Sequence, residues 1–430
     1  MERLLDIARK KAGKVEVYGE KSTSDDVSFE NSKLKDIESS IQSGVGLLLM
    51  QDGKVGYAYT RNLVDREGLV QNALDALKGG AEADYDLPLT KDVPELDTYD
   101  GSIEKLSTTG MVEECNRVCG VFAGKTSGQL NTSAGSMTTE VRVLNSAGTD
   151  LNTKSSSYYA YAALNFPGSY SSIFRMVTGK GFTPLSDEDT SYVLNAYEAA
   201  QKEVKVPSGK MKVLFLPSTM YTLVWRLLAA TGGKNVYEKV SPLKDKVGEK
   251  VMSERLTVVD TPLDDAWPGA RAFDDEGTAC RETPIVEAGI LKGFYFDRYY
   301  AWKAGVEPTG HGFRPGVTSR VSPGLEHLTI EPGKESFAEL LKAMDKGIIV
   351  GGVLGAHSGN LLNGDFSVGL APGLYVEGGE IAGQVKDAMV AGNIYDTMQR
   401  VVGIENRVHP GYMGRFPAVL LEDVSFASKG

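Results

Sequence analysis

The sequence predicts an α+β fold in two domains. The first, residues 1–206, is a mixed sheet flanked by helices; the second, residues 207–430, is dominated by a large, mainly antiparallel sheet. Three observations carry this reading. Apolar residues alternate over long stretches split by tight-turn dipeptides, and helical periodicity is confined to short segments. A Pro/Gly turn, VPSGK at 206–210, separates a helix from a fresh apolar strand, Val213–Leu216. At 430 residues the chain has room for two or three domains and buries a core without cross-links.

The first residues read as an amphipathic helix, with Leu4, Leu5, Ile7 and Ala8 on one face and Gly13 able to end it. A strand-rich block follows. Val15-Glu16-Val17 alternates, and DVSFENSKLKDIESS sets Val27, Phe29, Leu34 and Ile37 around an Asn31-Ser32 turn. SGVGLLLMQDGKVGYAYT gives two apolar runs split by Asp52-Gly53, a hairpin signal because both turn residues tolerate positive φ. The spacing of Val64, Leu69, Val70, Ala73, Leu74 and Leu77 predicts a helix over 62–78, closed by Gly79-Gly80. Residues 81–103 hold two prolines and many acids without a period, so they read as a surface connection. A helix over 109–123 carries Cys115 and Cys119 on its core face. Sheet-like alternation runs from Met137 to Gly181, and a helix is expected over 187–204.

In the second half, Val286–Gly293 and Val376–Gly383 each read as strand, Glu-x-Gly turn, strand. One helix, 335–346, interrupts the sheet with Phe337, Leu340, Leu341 and Met344.

Composition excludes several classes of task. There are 46 basic and 57 acidic residues, net charge -11, and no cluster of five or more Lys/Arg. Such a chain repels phosphate backbones, so nucleic acid is not an expected partner. Three cysteines argue against a disulfide framework and for a reducing compartment. No apolar run approaches 18 residues, and MERLLDIARKKAG spreads its charges unlike a secretory signal. The expected setting is the cytoplasm, without membrane contact.

Common catalytic signatures are missing: no G-x-S-x-G elbow, no P-loop, no G-x-G-x-x-G opening a helix. Gly351–Gly355 reads as a close-packed passage from strand to loop. The histidines His311, His327, His357 and His409 never stand three to five apart, so no helix face offers two imidazoles to one metal. All fall between 311 and 409, and His357 lies near Asp365, which leaves open a discontinuous hydrolytic site. Asp264-Asp265, Asp274-Asp275-Glu276 and Asp365 read as turn acids in solvent. The segment least like ordinary packing is AHSGNLLNGDFSVGLAPGLYVEGGEIAG, 356–383. A polar, glycine-rich loop with one aromatic suits a cleft that holds extended chain; a long hairpin connection would look the same.

Ser43–Thr60, Phe273–Ala301 and Gly364–Ile394, in that order, resemble the TldD/PmbA family, with GDFS, E-x-G-x-I-A and the closing AGN the most specific elements. The likeness runs through nearly the whole chain. The family contains TldD-type chains, whose H-E-x-x-x-H helix and a later cysteine bind the zinc of a metallopeptidase, and PmbA or TldE chains, which lack these and pair with the zinc subunit. Here the helix after MKVLFLP reads MYTLVWRLLAATGGK, without His, Glu or Cys around Trp225 and Arg226, and no cysteine follows Cys280. The resemblance therefore implies a TldE-type, non-catalytic subunit that holds no cofactor itself, with zinc in its TldD-type partner. Implied ligands are extended or unfolded peptides, with a homodimer possible when the chain is alone. The older family label, modulator of DNA gyrase, implies the alternative of a protein acting on gyrase; a self-sufficient hydrolase around His357 and Asp365 is the other. A sheet-lined cleft can take a peptide as an added strand. On that logic His357, Gly364, Asp365, Phe366, Ser367 and Glu377 are the expected cleft residues, with no role in bond breaking.

Overall fold

The computed structural model describes residues 1–429. The N-terminal half is one seven-stranded sheet. Its strands are β1 (Lys14–Glu30), β2 (Lys33–Gln51), β3 (Lys54–Thr60), β4 (Ala81–Glu82), β5 (Gln129–Asn145), β6 (Asp150–Asn165) and β7 (Ser172–Gly179), in the order β4-β3-β2-β1-β5-β6-β7. Asn31 and Ser32 (φ 51° and 60°) and Asp52 and Gly53 (φ 50° and 71°) make the two-residue turns, whose left-handed residues match the twist of the flanking strands. Every pairing here is antiparallel. The parallel neighbours of the fold lie in the other half, where a long crossover is available to reverse the chain.

Helices cover one face of this sheet. At one end α1 (Glu2–Arg9) and α2 (Arg66–Lys78) bury Leu4, Leu5, Leu69 and Val70 against Val15, Val17, Leu47 and Leu49. At the other end α3 (Thr108–Phe122) and α4 (Asp187–Ala199) pack over Val27, Phe29, Leu130 and Ala134. α2 starts at Arg66 rather than near 62 because the Asp65 side chain accepts from Gly68 N. α4 opens on a Ser186/Asp189 capping box and stops short of the expected 204. Residues 202–204 turn away there to pair with the C-terminal half, Val204 N donating to Gln384 O. The opposite sheet face, at Tyr18, Val141 and Val143, meets Phe273 and Val317.

Residues 81–103 are more than a surface connection. Ala83, Tyr85 and Leu87 are buried against Leu48, Met50 and Val55. Asn145 Nδ2 and Thr149 Oγ1 both donate to Pro88 O, which ties the irregular chain to the β5–β6 turn.

In the C-terminal half, β8 (Gly209–Phe215) lies in a nine-stranded sheet. It runs antiparallel to Val419–Ser428 and parallel to Lys346–Val350. Beyond Val419–Ser428 come Ala388–Asn393, Asp365–Leu370 and Val353–Leu354; beyond Lys346–Val350 come Gly373–Glu377 and Glu380–Val385. The sheet curls enough for Gly351 N to reach Pro372 O (3.0 Å) and Ala371 N to reach Gly352 O (2.9 Å). A Cβ at Gly352 would sit 2.2 Å from Ala371 O, so that position demands glycine. The remaining helices are α5 (Tyr221–Thr231), α6 (Gly233–Tyr237), α7 (Arg298–Ala304), α8 (Phe337–Met344) and α9 (Ile394–Thr397). The core cluster around α3 and α4 continues through α8 into Leu214, Ile349 and Leu374, so the two sheets share apolar packing. No helix among the described residues is long and apolar enough to cross a membrane.

Candidate functional site

The chain leaves β8, turns at Pro217 and enters α5, which is apolar nearly all round and correspondingly buried. Its one charged residue is Arg226, with 0% of its surface exposed. The guanidinium meets carbonyl oxygens. Nε donates to Asp365 O (2.7 Å), Nη2 to Ser358 O (2.7 Å) and Ala356 O (3.1 Å), and Nη1 to Thr222 O one turn back on the helix. Burial draws the Arg226 pKa down from its usual range, and the Asp365 carboxylate opposes that. A buried cation is here neutralised mainly by dipoles of the loop 356–365.

That loop is stitched further. Asp365 Oδ1 accepts from Asn393 Nδ2 (2.9 Å), which also donates to Asn363 O (2.8 Å), and Asp365 N donates to Asn360 O (3.0 Å). Gly364 has φ 85°, and a Cβ there would fall 2.8 Å from the Tyr395 ring. Gly364 and Asp365 therefore lie at one place with Arg226. His357 is exposed on the same loop, and its ring has no hydrogen-bond partner among the described residues. Phe366 is 2% exposed and packs edge-on to Phe215, ring centres 6.2 Å apart. Ser367, next on the strand, is half-buried. Glu377 stands apart, at the far end of Gly373–Glu377, in an ion pair with Lys346 (3.1 Å).

The other histidines do not converge on His357. His311 is buried, its Nε2 3.1 Å from Asp260 Oδ2 and its Nδ1 2.8 Å from Thr309 Oγ1. His327 N donates to the other Asp260 oxygen, and His409 pairs with Glu405 at 3.2 Å.

The acids at 274–276 are not solvated turn residues; they are buried where the two halves meet. Asp274 accepts from the backbone N–H groups of Glu276, Thr278 and Gly312. Asp275 is bound by Arg271 and by Arg314 N, and Arg314 reaches across to Glu16 on β1 (3.1 Å). Glu276 accepts from Arg298 N (2.8 Å), and Asp297 caps α7 through Tyr300 N (2.8 Å). Burial, then the neighbouring Asp297, Asp274 and Glu16, hold Glu276 well above the carboxylate range; burial lifts Asp297 to about 7. Burial also raises Glu16 against the pull of Arg314. Periodicity cannot reveal such a cluster, because a D-x-x-G turn is polar whether water or a second sheet covers it. The one available signal was Phe273 immediately before the acids.

The donor set does not fit zinc in this chain. Among the described residues no group of three or more His, Cys, Asp or Glu is placed to hold a metal ion. On α5, which the resemblance sets in the place of the zinc helix, the buried group is a cation that donates to carbonyls. A metal there would face the positive end of the same arrangement.

This fold, a helix-flanked antiparallel sheet packed on a curled sheet around α5, is that of a known class of metallopeptidase-like proteins. The family model described as "PmbA/TldA metallopeptidase C-terminal domain" matches residues 208–428, and "PmbA/TldA metallopeptidase domain 1" matches 15–80. The chain belongs to the PmbA/TldD metallopeptidase family. It is similar to a protein named metalloprotease from Methanothermobacter thermautotrophicus, 26% identical over 92% of this chain and 88% of that one. Its fold matches TldE from Thermococcus kodakarensis with a TM-score of 0.92 at 24% identity, covering 100% of both chains. It also resembles a Thermotoga maritima protein titled a putative modulator of a DNA gyrase, with TM-score 0.87, 28% identity and 99% of each chain covered.

Proposed function

We propose that this chain is the non-catalytic, TldE-like subunit of a zinc metallopeptidase of the cytoplasm. It would complete a peptide-binding chamber beside the zinc of a TldD-type partner and help hold unfolded or small peptides for proteolysis. We read residues 1–206 and 207–430 as its two folding units. One observation carries the proposal: on α5, the helix that the resemblance sets in the place of the zinc helix, the buried group is a guanidinium clasped by carbonyls. Family membership supports it. The loop 356–367 is the part of this chain we assign to the chamber wall, through His357, Gly364, Asp365 and Ser367. Phe366 would support that wall from beneath.

The test is co-expression with a family member that carries H-E-x-x-x-H. A stable complex is expected, with one zinc in the partner, none in this chain, and peptidase activity that a chelator removes. Stoichiometric zinc together with peptide turnover in the isolated chain would refute the proposal. So would turnover abolished by His357→Ala in the isolated chain, which would favour a hydrolytic site of its own.

A further inference from the structure

A concavity opens beyond the N-terminal end of α5. It holds about 360 Å³ and lies between the last strand of the N-terminal sheet, β7, and the hairpin of His409–Gly411 and Gly414–Phe416. Its polar lining residues are Arg175, His409, Asp189 and Ser218. Arg175, on β7, lays its guanidinium over the Tyr192 ring at 3.5 Å from the centre, and it has no hydrogen-bond or ion-pair partner among the described residues. His409 presents a fixed imidazole: its Nε2 is 3.2 Å from Glu405 Oε1, while Glu405 Oε2 accepts from Ala418 N (3.0 Å). Met176, Pro217, Tyr412 and Met413 form the apolar part of the wall. Tyr412 is 70% exposed and stands edge-on to Tyr221 of α5. Of the Asp189 carboxylate, Oδ2 accepts from Ser186 N and Oγ in the cap of α4.

A stacked guanidinium without an acceptor is preorganised for a planar two-oxygen anion, which matches its fork better than a point charge would. The apolar wall beside it requires that the anion be joined directly to a hydrophobic group. Both conditions are met together by the α-carboxylate of an apolar C-terminal residue. The position fits as well, because β7 ends its sheet and an extended chain can be received along such an edge.

We propose that this pocket takes the C-terminus of a short peptide, its α-carboxylate on Arg175 beside His409 and its last side chain against Met176, Tyr412 and Met413. The assignment deepens the peptide-chamber reading above and rests on it. It would make the subunit select peptides that carry a free, apolar end, as the products of earlier cleavage do.

The experiment is fluorescence anisotropy on the full chain with an N-terminally labelled pentapeptide ending in Leu, as free acid and as C-terminal amide. The acid should bind at least about tenfold more tightly than the amide, the scale of a lost charge-assisted bidentate contact. Arg175→Gln should erase that difference, with circular dichroism and thermal midpoint unchanged. Absent binding of the acid, equal binding of acid and amide, or acid preference that survives in Arg175→Gln would each overturn the proposal. Equal binding of an amidated peptide ending in Glu would overturn the α-carboxylate assignment, since a side-chain carboxylate would then suffice. If the variant does not fold, the acid-to-amide ratio on the wild-type chain decides. Peptide binding that ignores the terminus removes the pocket but leaves the chamber reading standing; failure to pair with any zinc subunit does the reverse.

Discussion

Arg226 donates from Nε to the backbone carbonyl of Asp365 across 2.7 Å, joining the middle of α5 to the first residue of a strand 139 positions later. With Ala356 O and Ser358 O on the same guanidinium, one side chain holds both ends of the loop 356–365. The order of that loop is thus set from inside the core.

Replacing Arg226 by Met keeps apolar volume but orphans three loop carbonyls. Unfolding free energy should fall by on the order of 3 kcal/mol or more, read as a lower urea midpoint. Amide exchange over 356–365 should quicken more than in β8. A Met variant as stable as the wild type would show that the guanidinium anchors nothing.

Asp297 gives a pH dependence of definite sign. Burial lifts it to about 7 from a free-Asp value of about 3.9. The folded chain therefore holds this proton more tightly than the unfolded chain. Its contribution to stability is complete below pH about 4 and is lost as pH rises through about 7. Burial moves Asp274 and Glu276 in the same direction. Asp297→Asn can still cap α7. Its stability relative to wild type should grow by on the order of 2–4 kcal/mol between pH 4 and pH 8, followed by denaturation at each pH.

Arg314 bridges the halves through Glu16, and both side chains are nearly sealed from solvent. Arg314→Met alone should cost on the order of 3–5 kcal/mol, because Glu16 is left buried without its partner. Adding Glu16→Gln should recover part of that loss. Additive costs in a double-mutant cycle would mean that the two groups do not act as a pair.

Gly364 combines φ 85° with a hydrogen where a Cβ would press on Tyr395. Gly364→Ala should lower the thermal midpoint through strain of about 1–3 kcal/mol. Ala at Gly248, also at positive φ but with open space around it, should cost less.

Much of the fold was legible locally. Asn31-Ser32 and Asp52-Gly53 mark their turns because few residues accept a left-handed backbone, and Leu69, Val70 and Ala73 mark one face of α2 by period alone. The helix α7 leaves no periodic trace, because its seven residues, RYYAWKA, are too short to establish a period. The loop around Gly364 could be singled out by composition, yet nothing in that stretch announces that Arg226 would bind it.

The sequence by itself determined the class of fold, the hairpins, and the want of metal-ligating side chains on α5, since each depends on residue type and near spacing. Tertiary structure decided the rest. It buried Asp274, Asp275 and Glu276 beneath a second sheet, sent Phe366 into the core, separated Glu377 from Asp365, and brought Arg175 and His409, 234 positions apart, to one cavity. The physical reason is that solvation and charge pairing depend on what packs opposite a residue. That neighbour comes from elsewhere in the chain and leaves no periodic trace beside it.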